Sequence, residues 1–174
     1  MKRNKLNLGC GKNIKEGWVN LDCVKLRGVN VIYNLNKYPW PFRKDQFDYV
    51  LCDNILEHLG SIVKPLEELH RITKKDGVIK VIVPLFPSVW SMIDPTHKVF
   101  YTFMTFDYFQ ENRGLNYYSK ARFKILKKKI RFHPALRFLN PLVNIHERVQ
   151  KFYYVFLSGA LPPMFLNIEL EVIK

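Results

Sequence analysis

The stretch that decides the fold is Lys5-Leu6-Asn7-Leu8-Gly9-Cys10-Gly11, where a short apolar strand signal runs directly into two glycines separated by one residue. Glycines at the end of a strand allow a tight turn that brings backbone N–H groups against a ligand. The next strand signal, Trp18–Asp22, ends in an acid. A carboxylate at Asp22 can accept hydrogen bonds from both hydroxyls of a ribose, or it can simply cap a turn. The spacing after the glycines favours ribose binding.

A dinucleotide site fits this stretch less well. The dinucleotide fingerprint G-x-G-x-x-G requires a third glycine at position 14, where the sequence has Ile14. The interval between Gly11 and Trp18 is also too short for a typical crossover helix. The pattern therefore disfavours a nicotinamide cofactor.

The rest of the first half alternates between strand and helix signals. Apolar runs predict strands at Val29–Tyr33 and Phe47–Cys52, and the apolar spacing within 61–73 predicts a helix. Another apolar run predicts a strand at Val78–Val83, closed by Pro84. Strands separated by short connections and helices indicate a largely parallel sheet, and we expect residues 1–174 to form a single domain.

The second half is less regular. Short helices are predicted around Phe103–Gln110, and a helix over Asn144–Leu157. Residues 123–132 fit either a strand with a bulge or a short basic helix. The alternating run Phe165–Ile173 predicts a final strand. The many aromatic side chains of 83–118 can either wall a pocket or complete the core.

Positive charge is concentrated in the basic region, residues 112–151. It holds eleven Lys or Arg residues, Arg113 among them, and one acid, Glu147, which amounts to ten of the chain's thirteen net positive charges. Such a region can bind RNA or an anionic membrane, or it can be an ordinary solvated surface. No nucleic-acid-binding motif accompanies it, which favours a small-molecule, glycan or lipid-linked substrate over RNA.

The composition also bears on compartment and metals. The three cysteines form no C-x-x-C pair, and the five histidines show no ligand spacing with cysteines or acids. We therefore predict neither a disulfide nor a metal site. The chain has no apolar run of about 18 residues, and its basic start is too short for a signal peptide. A cytoplasmic protein is expected, with peripheral attachment to a membrane as a variant.

Five consecutive blocks of sequence carry a resemblance to a known family: LNLGCGKN, GWVNLD, NLNKYPWPF, FDYVLCDNILEHL and ELHRITKKDGVIKVIVP. Together they resemble the class I methyltransferases that depend on S-adenosylmethionine (SAM), and most closely their small "methyltransferase-type 11" branch. The resemblance covers about residues 5–84. It implies a Rossmann-like three-layer α/β/α sandwich with a mostly parallel seven-stranded sheet whose last strand is antiparallel.

The resemblance implies SAM as the cofactor and assigns it binding residues. Gly9, Cys10 and Gly11 would form the turn under the methionine part of SAM, and Asp22 would hold the ribose. Asp53, just past the fourth predicted strand, would lie beside the methionine end.

Three further cofactor residues are implied, and two of them depart from the family pattern. Asn34 and Leu35 follow the third strand, where the family contacts adenine. Asn34 stands where the family commonly has an Asp, and Asn7 stands where it commonly has an acid in the first motif. An Asn oxygen still accepts a hydrogen bond, but without charge.

Methyl transfer from SAM is an in-line displacement that needs a base only when the nucleophile is protonated and poorly acidic. His97 and His58 are the predicted catalytic residues, with Glu57 and Asp94 behind them. Either histidine can instead serve only the fold. The segment 94–109 also looks like one found in relatives.

The predicted function is methyl transfer from SAM to an unidentified acceptor. An RNA methyltransferase that uses the basic region is one alternative, and a SAM-binding or partner subunit without catalysis is another. Few residues precede the first strand, so a lid would come from 83–118, from a partner or from a second subunit in a homodimer.

Overall fold

The computed structural model describes residues 4–111 and 116–174, and its centre is a seven-stranded mixed sheet with the order β3-β2-β1-β4-β5-β7-β6. The first five strands are mutually parallel, and β7 lies antiparallel between β5 and β6. The predicted sheet, with its antiparallel last strand, is confirmed. The strands are β1 (Lys5–Leu8), β2 (Val19–Asp22), β3 (Val31–Ile32), β4 (Phe47–Asp53), β5 (Thr73–Pro84), β6 (Arg122–Arg131) and β7 (Phe165–Ile173).

The helices are short. The helix predicted over 61–73 is α1 (Val63–Ile72), and its apolar stripe is buried. The helix predicted over 144–157 is α4 (Glu147–Phe156), which begins later because His146 caps it by accepting the N–H of Arg148. The remaining helical segments are α2 (Val89–Met92), α3 (Leu139–Val143) and 3₁₀ turns at Leu56–His58, Thr105–Phe109, Asn116–Tyr118 and Pro134–Leu136.

Strand β5 begins earlier than the predicted start at Val78. Thr73 already pairs with Phe47, and after an irregularity the pairing resumes with Val78 opposite Tyr49. Asp76 has φ = +60° inside this irregularity, and a Cβ on Gly77 would lie 2.7 Å from Thr73 Cγ2. The residues between the predicted helix and the predicted strand therefore form a bulge within β5.

Residues 123–132 form a bulged strand rather than a basic helix. The pairing of β6 with β7 slips between Ile125 and Lys127. This slip explains the change of phase in the sequence, because one extra residue reverses which side chains face the core. Phe123 and Ile130 both point inward as a result, and both are buried.

The two faces of the sheet differ. One face is apolar and packs against α1 and the Thr105–Phe109 turn, since His70 and Phe109 both contact the Phe123 ring. On the other face, the loop of residues 9–18 covers β1, and Trp18 packs edge-on against Tyr49. In the described ranges no helix lies in the connections before β4, so this side of the sandwich is built there from a loop.

The aromatic side chains after β5 are partly buried in the core and partly exposed. Tyr101, Phe103, Phe106 and Phe109 are fully buried in the core. Others are substantially exposed, including Phe86, Trp90 and Phe100.

Most of the described part of the basic region lies in β6, α3 and α4. Arg113, one of the cations of this region, lies outside the described residues. None of the described helices is long and apolar enough to cross a membrane.

Candidate functional site

The glycine turn after β1 is tightly built on one side and open on the other. Gly9 and Gly11 have φ of +64° and +48°, in the left-handed region that favours glycine. A Cβ on Gly9 would lie 2.3 Å from Cγ1 of Ile55, whereas a Cβ on Gly11 would meet no atom within 4 Å. Ile55 therefore fixes the turn from behind, and the free space lies at Gly11.

Asp22 stands at this open side because β1 and β2 are parallel and end together, with Leu8 opposite Leu21. Its Oδ2 accepts the Gly11 N–H at 2.8 Å, and its Oδ1 accepts the Val24 N–H at 3.0 Å. A carboxylate oxygen has two lone pairs, so each oxygen can still accept a hydroxyl. The structure thus brings the glycine turn and Asp22 into direct contact.

Cys10 lies between the glycines with its side chain in the core. Its N–H donates to the Leu21 carbonyl at 2.9 Å, which ties the turn to β2. Burial, followed by the nearby charge of Asp22, raises the pKa of the Cys10 thiol. The thiol is therefore neutral and packs as a small apolar group. All three cysteines are free, so no disulfide forms.

Asn7 is buried beneath the turn and acts as a hydrogen-bond donor. Its Nδ2 donates to the Asn13 carbonyl at 2.8 Å and to Asn20 Oδ1 at 3.0 Å. Asn20 in turn holds the loop through two hydrogen bonds to the backbone of Lys15. Its Oδ1 accepts the Lys15 N–H at 2.9 Å, and its Nδ2 donates to the Lys15 carbonyl at 2.9 Å. The departure from the family's acid therefore has a structural reason: a carboxylate at this position could donate neither bond.

Replacing Asn7 with Asp is expected to lower the free energy of unfolding by about 2–4 kcal/mol, because the Asn13 carbonyl loses its Asn7 donor and the buried Asn20 Oδ1, which keeps only the Lys15 N–H, faces a negative charge. Urea unfolding followed by circular dichroism measures this. Asn36→Asp is the matched control, since exposed Asn36 accepts the Gly60 N–H through its oxygen, which Asp retains. Equal stabilities of the Asn7→Asp variant and the wild type would contradict the donor role.

Asn34 and Leu35 lie after β3, as predicted, but only one side chain faces outward. Asn34 is exposed, and its Oδ1 accepts the Asn36 N–H at 3.0 Å. Leu35 is buried in the core, and its carbonyl accepts the Trp40 indole N–H at 3.0 Å. A ligand could therefore reach the Asn34 side chain, but not that of Leu35.

The two predicted catalytic histidines come together on the far side of Ile55. The rings of His58 and His97 are 4.9 Å apart in an edge-on arrangement. The backbone brings them together, because the N–H groups of Lys98 and Val99 donate to the Glu57 carbonyl at 2.8 and 3.3 Å. Asp53, the last residue of β4, lies on the same rim of the sheet and accepts Asn54 Nδ2 at 3.0 Å.

The turn Asp94-Pro95-Thr96 orients both histidines. Asp94 Oδ1 accepts the Thr96 N–H at 2.8 Å and the Thr96 hydroxyl at 2.7 Å, and these bonds lower the pKa of the Asp94 carboxyl. The Thr96 hydroxyl also lies 2.9 Å from His58 Nδ1. His97 Nδ1 lies 2.9 Å from the Ser91 carbonyl in α2. Asp followed by Pro is a common turn sequence, so this local geometry is expected from the residues.

Glu57 is the unexpected member of this group. Its residue is only 2% exposed, and neither carboxylate oxygen has a hydrogen-bond partner in the part of the chain that the structure describes. Burial raises its pKa to about 7, and the charges of Asp53 and Asp94 add to this effect. The sequence analysis placed Glu57 only behind the histidines. The burial of its carboxylate could not be predicted, because burial leaves no local sequence signal.

Comparison with known proteins finds a family whose sequence profile matches part of this chain. Residues 13–81 match the sequence profile of a family described as "Methyltransferase domain". Over this stretch the chain resembles a class I SAM-dependent methyltransferase domain. SAM is therefore the expected cofactor of this methyltransferase domain, and the resemblance seen in the sequence is confirmed.

Solved structures share the fold at low sequence identity. A SAM-dependent methyltransferase from Archaeoglobus fulgidus is 17% identical, with a TM-score of 0.61 over 97% of this chain and 86% of that one. A SAM-dependent methyltransferase from Mesorhizobium loti is 12% identical, with a TM-score of 0.58 over 97% and 90% of the two chains. These similarities establish the fold of the methyltransferase domain.

A sequence relative adds a local match. An uncharacterized protein of Methanocaldococcus jannaschii is 46% identical over 43 residues, which are 25% of this chain and 19% of that protein. The match therefore covers about a fifth of the relative's length. It concerns a short stretch and not the whole of either protein.

Proposed function

We propose that the protein transfers the methyl group of SAM to an acceptor held at an anionic membrane surface. The use of SAM as the methyl donor is supported by the glycine turn at Gly9–Gly11. This turn is hydrogen-bonded to Asp22 and has free space at Gly11. In this proposal Gly9, Cys10 and Gly11 lie under the methionine part of SAM, Asp22 binds the ribose hydroxyls and Asp53 borders the methionine end. SAM supplies a methyl group that is already activated for displacement.

Adenine would be bound beside β3. Asn34 has an exposed amide for the adenine edge, whereas Leu35 can contribute only through its backbone, since its side chain is buried. Asn7 would act indirectly by holding the loop behind the glycines.

His58 and His97 would meet the acceptor. In this proposal the histidine pair lies on the methyl side of SAM. The support is that Ile55 packs behind Gly9, and His58 follows Ile55 three residues later beside His97. There they would act on the acceptor's nucleophilic atom, and the enzyme's main task would be to align that atom and exclude water.

The proposed position of the acceptor at a membrane rests on exposed apolar side chains that overlap the basic region in sequence. We call these side chains the apolar surface; they are each at least 55% exposed and are Phe138, Leu142, Ile145, Phe152, Val155 and Phe156. Arg137, Arg148 and Lys151 lie among them in sequence. Exposed aromatic side chains interleaved with cations suit the interface of an anionic bilayer.

Helix α4, which carries part of the apolar surface, is connected to the histidines through the segment that contains α2. Tyr154 of α4 donates its hydroxyl to the Phe86 carbonyl at 2.6 Å, just before α2. Helix α2 exposes Val89 and Met92, and its Ser91 carbonyl contacts His97. An acceptor embedded in a membrane would thus approach from the side of the histidines, which favours a lipid-linked acceptor.

Transfer of tritium-labelled methyl from SAM tests this function. The enzyme is incubated separately with anionic lipids that include lipid-linked glycans, with total RNA and with water-soluble metabolites. We expect label in the lipid fraction with the wild type and none with Asp22→Ala. Label in RNA would favour the RNA alternative, and binding of SAM without label in any fraction would favour a non-catalytic subunit.

Vesicle binding should depend on the apolar surface. The Phe152 and Phe156 rings are 5.1 Å apart, and replacing both with Ser is expected to reduce binding to phosphatidylserine vesicles at least tenfold, since each buried aromatic contributes about 1.5–3 kcal/mol. Co-sedimentation measures the bound fraction.

Tyr117 and Tyr118 provide the matched control. They are also an exposed aromatic pair, 71% and 73% exposed, and lie in the 3₁₀ turn before β6. Replacing both with Ser should leave vesicle binding unchanged. Equal loss in the two double variants, or equal binding of the wild type to neutral vesicles, would contradict membrane docking at the apolar surface.

A further inference from the structure

We propose that Glu57, His58 and His97 bind a divalent transition-metal ion on the methyl side of the cleft. Each residue offers one ligand atom, and these three atoms lie within 4.8 Å of one another. Two imidazoles and one carboxylate form a ligand set used for zinc and other divalent metals. The sequence spacing predicted no metal site, because His97 reaches the pair only through the fold of residues 94–99.

The hydrogen bonds of both histidines leave Nε2 available. A carbonyl can only accept, so His97 Nδ1 must donate its proton to Ser91. The Thr96 hydroxyl donates its one proton to Asp94 Oδ1, so His58 Nδ1 must donate to that hydroxyl. Both rings are thus fixed in the tautomer whose Nε2 carries a free lone pair. Metal-binding histidines are typically held in this way by a partner of the other ring nitrogen.

Glu57 supplies an independent observation. Its carboxylate is buried at 2% residue exposure, and among the described residues neither oxygen has a hydrogen-bond partner. A buried, unpartnered carboxylate is unfavourable unless a cation or a proton compensates it. A metal ion beside the two imidazoles would provide that compensation. Asp94 adds a second carboxylate at the rim, with Oδ2 3.9 Å from His97 Nε2.

Three protein ligands would leave a coordination position open, as in metal sites that act on substrates. When bound, the ion would polarise an acceptor oxygen placed next to the methyl group. This consequence rests on the proposed methyl transfer, whereas the binding of the ion does not. Metal binding is therefore measured in the absence of SAM and of any acceptor.

Cobalt is a suitable probe, because Co²⁺ takes the same ligands as Zn²⁺ and absorbs visible light. The full chain is stripped with a chelator, dialysed and titrated with Co²⁺. We expect one Co²⁺ per chain with visible absorption bands, and displacement of the ion by Zn²⁺. His58→Ala, His97→Ala and Glu57→Gln should each lower the affinity for Co²⁺ at least about 100-fold, since loss of an outer partner alone costs 10–100-fold.

Two further variants keep the test decisive if a ligand variant fails to fold. Thr96→Val removes only the hydroxyl behind His58 and should weaken Co²⁺ binding about 10–100-fold. His146→Ala removes an exposed imidazole outside the group and should leave the affinity unchanged. Absence of Co²⁺ binding to the wild type, or equal affinity in His146→Ala, Thr96→Val and His97→Ala, would overturn the proposal. Neither result would affect SAM binding, which is measured separately.

Discussion

Replacing Asp107 with Ala is expected to lower the free energy of unfolding by about 3–5 kcal/mol, because it leaves a buried ammonium without its counter-charge. Asp107 pairs with Lys128, and their side chains are only 7% and 6% exposed. The Lys128 ammonium also lies 4.0 Å from the centre of the Phe103 ring. Burial lowers the pKa of Lys128, in keeping with the cost of charging it there. Urea unfolding measures the change.

Two comparisons make this result specific to the buried pair. The double variant Asp107→Leu/Lys128→Met removes both charges and should recover most of the lost stability, since apolar groups of similar volume can replace a buried pair. Glu147→Ala breaks the exposed pair with Lys151 in α4 and should cost about 0.5 kcal/mol or less. Equal losses for Asp107→Ala and Glu147→Ala would contradict a stabilising buried pair.

Replacing Asp22 with Ala is expected to weaken binding of S-adenosylhomocysteine (SAH) at least 100-fold. Two charge-assisted hydrogen bonds to ribose hydroxyls contribute about 1.5–3 kcal/mol each, and 1.4 kcal/mol corresponds to a factor of ten. The variant also releases the Gly11 N–H, which loosens the turn under the methionine part. Isothermal titration calorimetry measures the affinity.

Asp22→Asn separates these two effects. The amide retains an oxygen that can accept the Gly11 N–H, but it loses the negative charge and one acceptor. We expect affinity between those of the wild type and of Asp22→Ala. An Asp22→Ala variant that folds normally and binds SAH as tightly as the wild type would exclude Asp22 as the ribose ligand.

Much of the sheet was predictable because its strands carry strong local signals. The alternation over Phe165–Ile173 predicted β7 to the residue, and the apolar run at Phe47–Cys52 predicted all of β4 except its last position. The early start of β5 was not predictable, since Thr73 joins the sheet through pairing with distant Phe47. Tertiary pairing of this kind leaves no signal in the local sequence.

The candidate site was predictable where residues meet at strand ends. Gly9, Gly11 and Asp22 come together because parallel strands end on one edge of the sheet. The proposed metal site was not predictable, because it depends on the burial of Glu57 and on the approach of His97, which is distant in sequence. Asn20, which holds the loop behind the glycines, was also missed, since nothing in its local sequence marks it as buried.

The backbone irregularity in β6 determines that the Lys128 side chain is buried. Lys128 sits within Lys127-Lys128-Lys129, which reads in the sequence as part of a uniform basic surface. The slip in β6 between Ile125 and Lys127 turns Lys128 toward the core, where it meets Asp107. One of the lysines counted in the basic region is therefore a core residue and does not contribute to an exposed field.

The most direct test of the central claim is a ¹⁵N–¹H NMR titration of the wild type with SAH. We expect the largest amide shifts at Gly9, Gly11 and Val24, with further shifts after β3 and at the end of β4. These are the backbone groups of the glycine turn, the Asp22 carboxylate and the proposed adenine and methionine positions. Saturable shifts confined to other parts of the chain, or no shifts at millimolar SAH, would contradict a SAM site at the glycine turn.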